Sequence, residues 1–299
     1  MSTIDVDPQP PPLPLPGRGP SEAHLARRET LGQLARSKTF LIGLLMVGWW
    51  VFWAIVGSRL TPHDPLDQTA AVLAGPGRGN WLGTDSLGRD VLSRVLAGAS
   101  DTLKVAPLAT LLGIAGGTAV GLVTGFFRGL VDDVVSRVID AVLALPLIVV
   151  AVTAIVALGT SNATLIVVIG VVFTPIVART VRAAVLAERD LEYVAAARLR
   201  GERAPYVMFV EILPNVAGPI VVEATVRLGY AIFAVAGLTF LGFGVQPPSP
   251  DWSLQIADHY TLLTANTYWW TVLFPGLAIV TLIVGVNLIA DGLQQVVDR

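Results

Sequence analysis

The chain has 299 residues, of which 54% are hydrophobic and 14% are charged. A water-soluble domain of this size needs more polar surface than that, so the main solvent of this chain is lipid. The formal net charge of -2 gives no basis for binding nucleic acid. Because the chain contains no cysteine, disulfides, thiolate metal sites and cysteine nucleophiles are excluded together.

The N-terminal residues 1–38 are polar and carry seven prolines between Pro8 and Pro20. This composition cannot form a packed core and predicts a disordered cytoplasmic tail, the alternative being a proline-rich ligand segment of the SH3 type. Residues 39–58 are uncharged over a full membrane thickness and follow a lead too long for a signal peptide. They are predicted to be the first transmembrane helix, followed by an extracytoplasmic loop over residues 59–100.

Further apolar runs predict five more crossings, which makes the expected fold an all-α membrane protein with six transmembrane helices. Residues 105–127 form the second span, and glycines at three- and four-residue spacing within it are typical of close helix packing in lipid. Residues 141–178 are too long for one span and are predicted to be a hairpin that turns at 159–162. Residues 216–244 and 271–290 form the last two spans.

Lysine and arginine predict the orientation, because short cytoplasmic loops retain them. With the tail inside, the inner segments hold fourteen of these residues and the outer segments hold five, all in the first outer loop. Both termini are therefore predicted to face the cytoplasm. The aromatic residues Trp252, Tyr268, Trp269 and Trp270 of the last outer loop stand where an interfacial anchor is expected.

The longest inner loop contains a predicted short helix over residues 191–199, rich in alanine and leucine and free of proline. Gly201 interrupts it, and Pro214 marks the entry to the fifth span. Three successive alanines make one helical face nearly smooth. Two interpretations stay open: the face docks another protein, or the helix merely lies on the membrane or packs on its own bundle.

Two charged groups need a separate explanation. Glu223 and Arg227 are opposite charges four residues apart inside an apparent span, and they are expected to pair. They are either a polar spot in a substrate path or a structural pair near the cytoplasmic end.

The segment 83–94 mixes acidic and basic residues, which favours a solvated, mutually paired surface over a carboxylate site.

Four segments together resemble a known family. Residues 193–201 and 212–215 look like the EAA loop of binding-protein-dependent ABC importer permeases. Residues 83–94, 238–248 and 287–293 are similar to segments of the C-type permeases of dipeptide and oligopeptide importers. The resemblance makes the following an ATPase-coupling segment: Tyr193, Val194, Ala195, Ala196, Ala197, Arg198, Gly201, Ile212, Leu213, Pro214 and Asn215. It makes the following an extracytoplasmic motif near a docked binding protein: Gly83, Thr84, Asp85, Gly88, Arg89, Asp90 and Arg94.

The resemblance implies a type I ABC importer permease fold over residues 101–293, with a cytoplasmic coupling loop at 186–215. It implies four kinds of partner: a second, B-type permease, two ATPase domains, an extracytoplasmic peptide-binding protein and the membrane lipid. ATP and magnesium are expected on the ATPase partners, and no cofactor or metal on this chain. The sequence differs from the family pattern at Ala195, where many members have glutamate, and at Val235, where many have an acidic residue.

Other functions are less well supported. The chain has no Gly-x4-Gly-Lys-Ser/Thr loop to cradle phosphate, its three histidines are scattered, and no serine lies in a nucleophile elbow. The alternatives are import of nickel, glutathione or another small solute by the same fold, and an ATP-independent secondary transporter. The second alternative predicts inverted repeats, and none is visible in the sequence.

Overall fold

The computed structural model describes residue 34, residues 36–265 and residues 267–297. Most of the predicted proline-rich tail lies outside the described residues. The longer helices are α1 (Lys38–Leu60), α2 (Val91–Phe127), α3 (Leu130–Leu143), α4 (Leu147–Leu158), α5 (Asn162–Glu188), α6 (Glu192–Leu199), α7 (Ala217–Phe240), α8 (Trp252–His259) and α9 (Trp270–Val297). A π-helical stretch, Val207–Ile212, lies between the short helical segments Ala204–Tyr206 and Leu213–Asn215.

Within the described residues, five helices are long and apolar enough to cross a membrane: α1, α2, α5, α7 and α9. Helices α3 and α4 make a sixth crossing if this bent pair counts as one span. The predicted all-α fold with six spans is confirmed on that count. We call the end of the bundle that carries residues 61–90 and α8 the loop end, and the end that carries α6 the connector end.

The first arm of the predicted 141–178 hairpin is not one straight helix. The chain bends by 88° between α3 and α4. Pro146 lies at the break, where its ring and missing N–H prevent the helix from continuing. Helix α4 has 12 residues, about 18 Å at the usual helical rise, which is shorter than the ~30 Å hydrocarbon core. The turn at 159–162 is confirmed, because α4 ends at Leu158 and Ser161 caps α5.

The second helix begins earlier than the predicted span 105–127. The Asp90 side chain accepts a hydrogen bond from the Ser93 backbone N–H at 2.8 Å, which is a helix N-cap. From that cap α2 continues for 37 residues, through Pro107. Residues 91–100 of the predicted outer loop are therefore helical, and the expected boundary at residue 101 falls inside a helix.

Helices α2 and α5 run parallel and pack closely along their connector-end halves. Four glycines of α2, each four residues from the next, face large side chains of α5 in register: Gly113 with Phe173, Gly117 with Val177, Gly121 with Val181, and Gly125 with Val185. A Cβ atom at Gly121 would lie 2.7 Å from the Val181 Cβ and 2.8 Å from the Ala178 carbonyl oxygen. The predicted close approach through small residues is confirmed.

We expect Gly121→Leu to prevent the normal packing of α2 on α5. The backbone of α5 blocks the space, so rotamer changes cannot relieve the overlap, and overpacking of this kind costs on the order of 3 kcal/mol or more. The measurement is the yield of monodisperse protein after detergent extraction, which should fall at least fivefold. Gly48→Leu is the matched control, because a Cβ at Gly48 meets no atom within 4 Å; a normal yield for Gly121→Leu would contradict the packing described.

Candidate functional site

Helix α6 lies against the connector end with one face buried and the other exposed. Val194 and Ala197 are fully buried in an apolar cluster that contains Phe126 of α2, Val181 of α5 and Ile212. On the opposite face Glu192, Ala195, Ala196 and Leu199 are exposed. Leu199 is 89% exposed, the largest exposed fraction among the described large hydrophobic side chains.

A Schellman motif ends α6. Gly201 has φ +78°, and its N–H donates to the Arg198 carbonyl at 3.0 Å, while the Glu202 N–H donates to the Ala197 carbonyl at 3.2 Å. Only glycine adopts this left-handed conformation at low cost. The predicted interruption at Gly201 is therefore confirmed and has a specific backbone cause.

Polar contacts fix α6 to the helices beneath it. The Arg189 guanidinium donates to the Phe126 carbonyl at 2.6 Å, which caps the C-terminus of α2. The Arg198 guanidinium lies 5.0 Å from the centroid of the Phe126 ring. The Tyr193 hydroxyl donates to the Glu188 carboxylate at 2.7 Å. Burial, followed by this hydrogen bond, raises the pKa of Tyr193 to about 12, so the phenol stays protonated and keeps donating.

The remaining residues of the predicted ATPase-coupling segment lie just before α7. Ile212 is buried in the same cluster as Val194, whereas Pro214 and Asn215 are exposed. The Asn215 amide donates to the Glu211 carbonyl at 2.7 Å. Leu213, Pro214 and Asn215 form one helical turn directly ahead of α7, in agreement with the predicted entry to the fifth span.

The two interpretations of α6, docking of another protein and packing on the chain's own bundle, each describe one of its faces. Val194 and Ala197 pack on the chain's own bundle, and the Ala195, Ala196 and Leu199 face has no cover within the described residues. The smooth exposed face and the anchored buried face together suit a rigid lever. That another protein grips this face stays a prediction.

The motif at 83–94 is paired, but the expectation that it is solvated is wrong. Asp85 is 2% exposed, Arg89 is 9% exposed and Arg94 is fully buried. Asp85 accepts hydrogen bonds from its own turn, from the Leu87 and Arg89 backbone N–H groups, and from Arg89 Nε at 2.6 Å. A charge alternation that looks solvated in sequence is buried because the chain covers it with other segments.

Those covering segments come from far along the sequence. Arg94 donates to the Ser249 carbonyl at 3.2 Å and to the Pro65 carbonyl at 3.4 Å, and its Nε lies 3.6 Å from Asp85 Oδ2. The Trp252 indole N–H donates to the Val95 carbonyl at 2.6 Å. The Trp270 indole N–H donates to the Thr84 carbonyl at 3.1 Å. The loop end is therefore one connected polar network.

The other motif residues take part in the same network. The Thr84 hydroxyl donates to the Ala71 carbonyl, and Asp90 accepts from the Asn80 amide at 2.8 Å as well as capping α2. Gly83 and Gly88 both have positive φ. The expectation of an interfacial anchor is wrong for Trp252 and Trp270, which are buried at 0% and 7% exposure. Sequence reasoning missed Ser249 and Asp251; the signal for Asp251 is its place directly ahead of a short helix, which is an N-cap pattern.

Asp251 is buried at the loop end and caps α8. Its carboxylate accepts from the Ser253 and Leu254 backbone N–H groups at 2.9 and 3.0 Å and from the Thr102 hydroxyl at 3.3 Å. Burial raises the pKa of this carboxyl, and the two backbone hydrogen bonds oppose the rise in part. The charged form is therefore disfavoured in the folded protein.

This raised pKa predicts a pH-dependent stability. The folded state holds the Asp251 proton more tightly than the unfolded state. The contribution of Asp251 to the free energy of unfolding is therefore favourable below the ordinary aspartate pKa and is lost as pH rises through the pKa of the folded state. We expect Asp251→Asn, which keeps the N-cap, to raise Tm at pH 7 by about 2–4 °C, or about 1 kcal/mol. Thermal unfolding at pH 4 and pH 7 checks this; an equal Tm change at both pH values would contradict it.

The predicted Glu223–Arg227 pair is present in α7. Arg227 Nε lies 2.6 Å from Glu223 Oε1, and both side chains are largely buried, at 16% and 13% exposure. The Arg227 guanidinium also lies 5.1 Å from the centroid of the Tyr230 ring. Among the described residues, no group of three His, Asp or Glu side chains is placed to hold a metal ion.

Comparisons with known proteins agree with this geometry. Residues 117–299 match the model of the family described as binding-protein-dependent transport system inner membrane component. The chain is 35% identical, over 91% of its length and 89% of the relative, to the dipeptide transport system permease protein DppC of Alkalihalophilus pseudofirmus. It is 31% identical, over 87% of its length and 84% of the relative, to the glutathione transport system permease protein GsiD of Pectobacterium atrosepticum.

A solved chain of the MetNI methionine ABC transporter, in inward-facing conformations, has a similar fold. It superposes with a TM-score of 0.55 at 22% identity, covering 69% of this chain and 95% of that one. The present chain therefore belongs to the family of binding-protein-dependent transport system inner membrane components. It is a multi-pass permease subunit of an ABC importer, and the family resemblance seen in the sequence is confirmed. Membership implies that an ATPase and a substrate-binding protein work with it.

Proposed function

We propose that this chain is one of two permease subunits of an ATP-driven importer of di- or oligopeptides in the bacterial plasma membrane. The single observation that carries the transport mechanism is α6, whose exposed Ala195, Ala196 and Leu199 face is anchored through Val194 and Ala197. The peptide substrate is carried over from relatives such as the dipeptide permease of A. pseudofirmus.

In this proposal the connector end faces the cytoplasm and the loop end faces the outside. The excess of arginine in the segments at the connector end supports this orientation. The buried network of Asp85, Arg94 and Ser249 then forms a rigid platform against which the substrate-binding protein docks.

The proposed partners are those that the family resemblance implies. The second permease is a related B-type chain, and two ATPase domains bind α6 and its counterpart on that chain. ATP and magnesium are held by the ATPase domains. An extracytoplasmic peptide-binding protein delivers the substrate.

The geometry gives the coupling a physical route. A push on α6 passes through Val194 and Ala197 to α2 and α5, whose backbones are in close contact along the glycine face. It also passes through Ile212 and the Leu213–Asn215 turn to α7. Arg189 ties the C-terminal end of α5 to that of α2, and Arg198 of α6 lies over the Phe126 ring, so α6 rests on a fixed base.

Glutathione is the second candidate substrate, favoured by the likeness to the glutathione permease of P. atrosepticum. Glutathione is itself a tripeptide with free carboxylates. Both candidates are therefore small peptides with a free C-terminal carboxylate, but glutathione carries a second carboxylate that the path would also have to accommodate.

The test is uptake by the complete complex, purified through a tag on this chain and placed in vesicles with its binding protein outside. We expect a tritiated dipeptide to enter only when ATP is present on the ATPase side. Uptake driven by an ion gradient without ATP would overturn the proposal, as would labelling of an engineered cysteine at Ala196 from outside intact cells.

A further inference from the structure

A cavity of about 400 Å³ opens between α4, α5 and α7, and α5 and α7 are long and apolar enough to cross a membrane. Apolar side chains form nearly all of its wall, among them Leu147, Phe173, Phe233 and Leu238. Of the described residues that line it, Arg227 alone is charged. The volume lies within the range of ligand sites, which is about 300–1,000 Å³.

Arg227 is held in a fixed orientation but is not fully used. Its Nε–H donates to Glu223 Oε1 at 2.6 Å, and its guanidinium lies near the Tyr230 ring. A guanidinium carries five N–H donors. Neither terminal nitrogen of Arg227 has a hydrogen-bond partner among the described residues. Four donors in a fixed plane are thus available beside the cavity.

This vacant donor set argues against a purely structural pair. The terminal nitrogens of Arg227 are not among the described buried side-chain atoms that lack a partner, so they stay accessible and can bind a further group. A fork of two terminal amino groups fits a carboxylate in bidentate geometry. An acid with an apolar body matches both parts of the site: the carboxylate meets Arg227 and the body fills the wall of Leu147, Phe173 and Phe233.

A short peptide meets these requirements without adding net charge, because its ammonium group balances its carboxylate. We propose that the Arg227 fork binds the C-terminal carboxylate of the transported peptide, and that the cavity takes the apolar C-terminal side chain. This inference rests on the proposed function. It makes Arg227 a specificity residue within the path, with Glu223 as the positioning residue that holds its Nε.

The probe for the test is alanyl-photoleucine, a dipeptide with a free carboxylate and a photoactivatable aliphatic side chain. The complete complex is illuminated with tritiated probe in the absence of the binding protein, and the labelled residues are mapped. We expect labels on the cavity wall of α4, α5 and α7. An excess of free dipeptide should compete for this labelling, and its C-terminal amide should compete at least tenfold less well.

The decisive variant is Arg227→Gln, with Arg179→Gln as control because Arg179 also pairs with a carboxylate, that of Asp140, but does not line the cavity. We expect Arg227→Gln to lose at least fivefold of the labelling and the control to keep it. Complex yield and basal ATP hydrolysis report folding; if Arg227→Gln fails to assemble, acid-against-amide competition in the unmodified complex decides alone.

The outcomes separate the two proposals. If the unmodified complex imports the probe with ATP but labels elsewhere, or labels equally with acid and amide as competitors, the Arg227 site is wrong and the peptide importer stands. If the complex imports no peptide, both are wrong.

Discussion

Leu199→Asp is expected to reduce ATP-driven uptake at least tenfold while the chain still inserts in the membrane. Leu199 is 89% exposed in this chain, so the substitution costs the isolated permease little. If α6 docks in a groove of the ATPase, the new carboxylate is buried there without a partner, and such burial costs several kcal/mol. Each 1.4 kcal/mol weakens the complex about tenfold. The measurements are co-purification of the ATPase through a tag on this chain and uptake in vesicles.

The control for Leu199→Asp is Leu66→Asp, which places the same charge at an exposed leucine of the loop end, 40% exposed. It should leave the amount of bound ATPase unchanged. If Leu199→Asp also retains the ATPase and full uptake, α6 is not the segment through which the ATPase acts on the permease. The separate readouts matter, because loss of uptake with the ATPase still bound would mean that α6 is needed for coupling and not for attachment.

The features that sequence predicted well are those set by local pattern. Apolar length identified the spans, the glycine spacing of α2 identified a close contact, and the combination of alanines with Gly201 identified a short, sharply ended helix. In each case the cause lies within one continuous stretch of the chain. The connector was found for the same reason, and its family resemblance covers the same residues.

The features that sequence missed depend on contacts between distant segments or on one local detail. Pro146 bends the first arm of the predicted hairpin, and the length and hydropathy of the apolar run do not show this bend. The burial of Asp85 and Arg94 could not be read from their neighbours, because the covering groups come from Pro65 and Ser249. In the sequence, alternating charges look the same whether they lie on a solvated surface or in a buried network.

The free terminal N–H donors of Arg227 are also a feature that the sequence could not predict. Spacing predicted the pair with Glu223, and the structure bears that out at 2.6 Å. Spacing could not predict that only Nε is used, or that α4 and α5 leave a cavity beside the rest of the guanidinium. The bend at Pro146 contributes here too, since Leu147 at the start of α4 forms part of the cavity wall.

Arg94→Met is expected to destabilise the loop end by about 3 kcal/mol, which lowers Tm by about 6–12 °C for a chain of this size. Methionine replaces part of the volume, so the loss comes mainly from the polar groups. The Ser249 and Pro65 carbonyls lose a buried donor, and Asp85 keeps only Arg89 as its side-chain partner. Thermal unfolding of the detergent-solubilised protein measures the effect.

The site of the damage separates this prediction from a general loss of stability. Because Arg94 joins α2 to the segment around Ser249, limited proteolysis of Arg94→Met should cut first within residues 244–251, below the temperature of global unfolding. Arg78→Met, at an exposed position of the same loop, should change neither Tm nor the cleavage pattern. Arg94→Lys keeps the charge but cannot reach two carbonyls and a carboxylate with one ammonium group, so it should restore less than half of the lost stability. Full restoration by lysine would mean that charge alone, and not the planar fork, holds the loop end together.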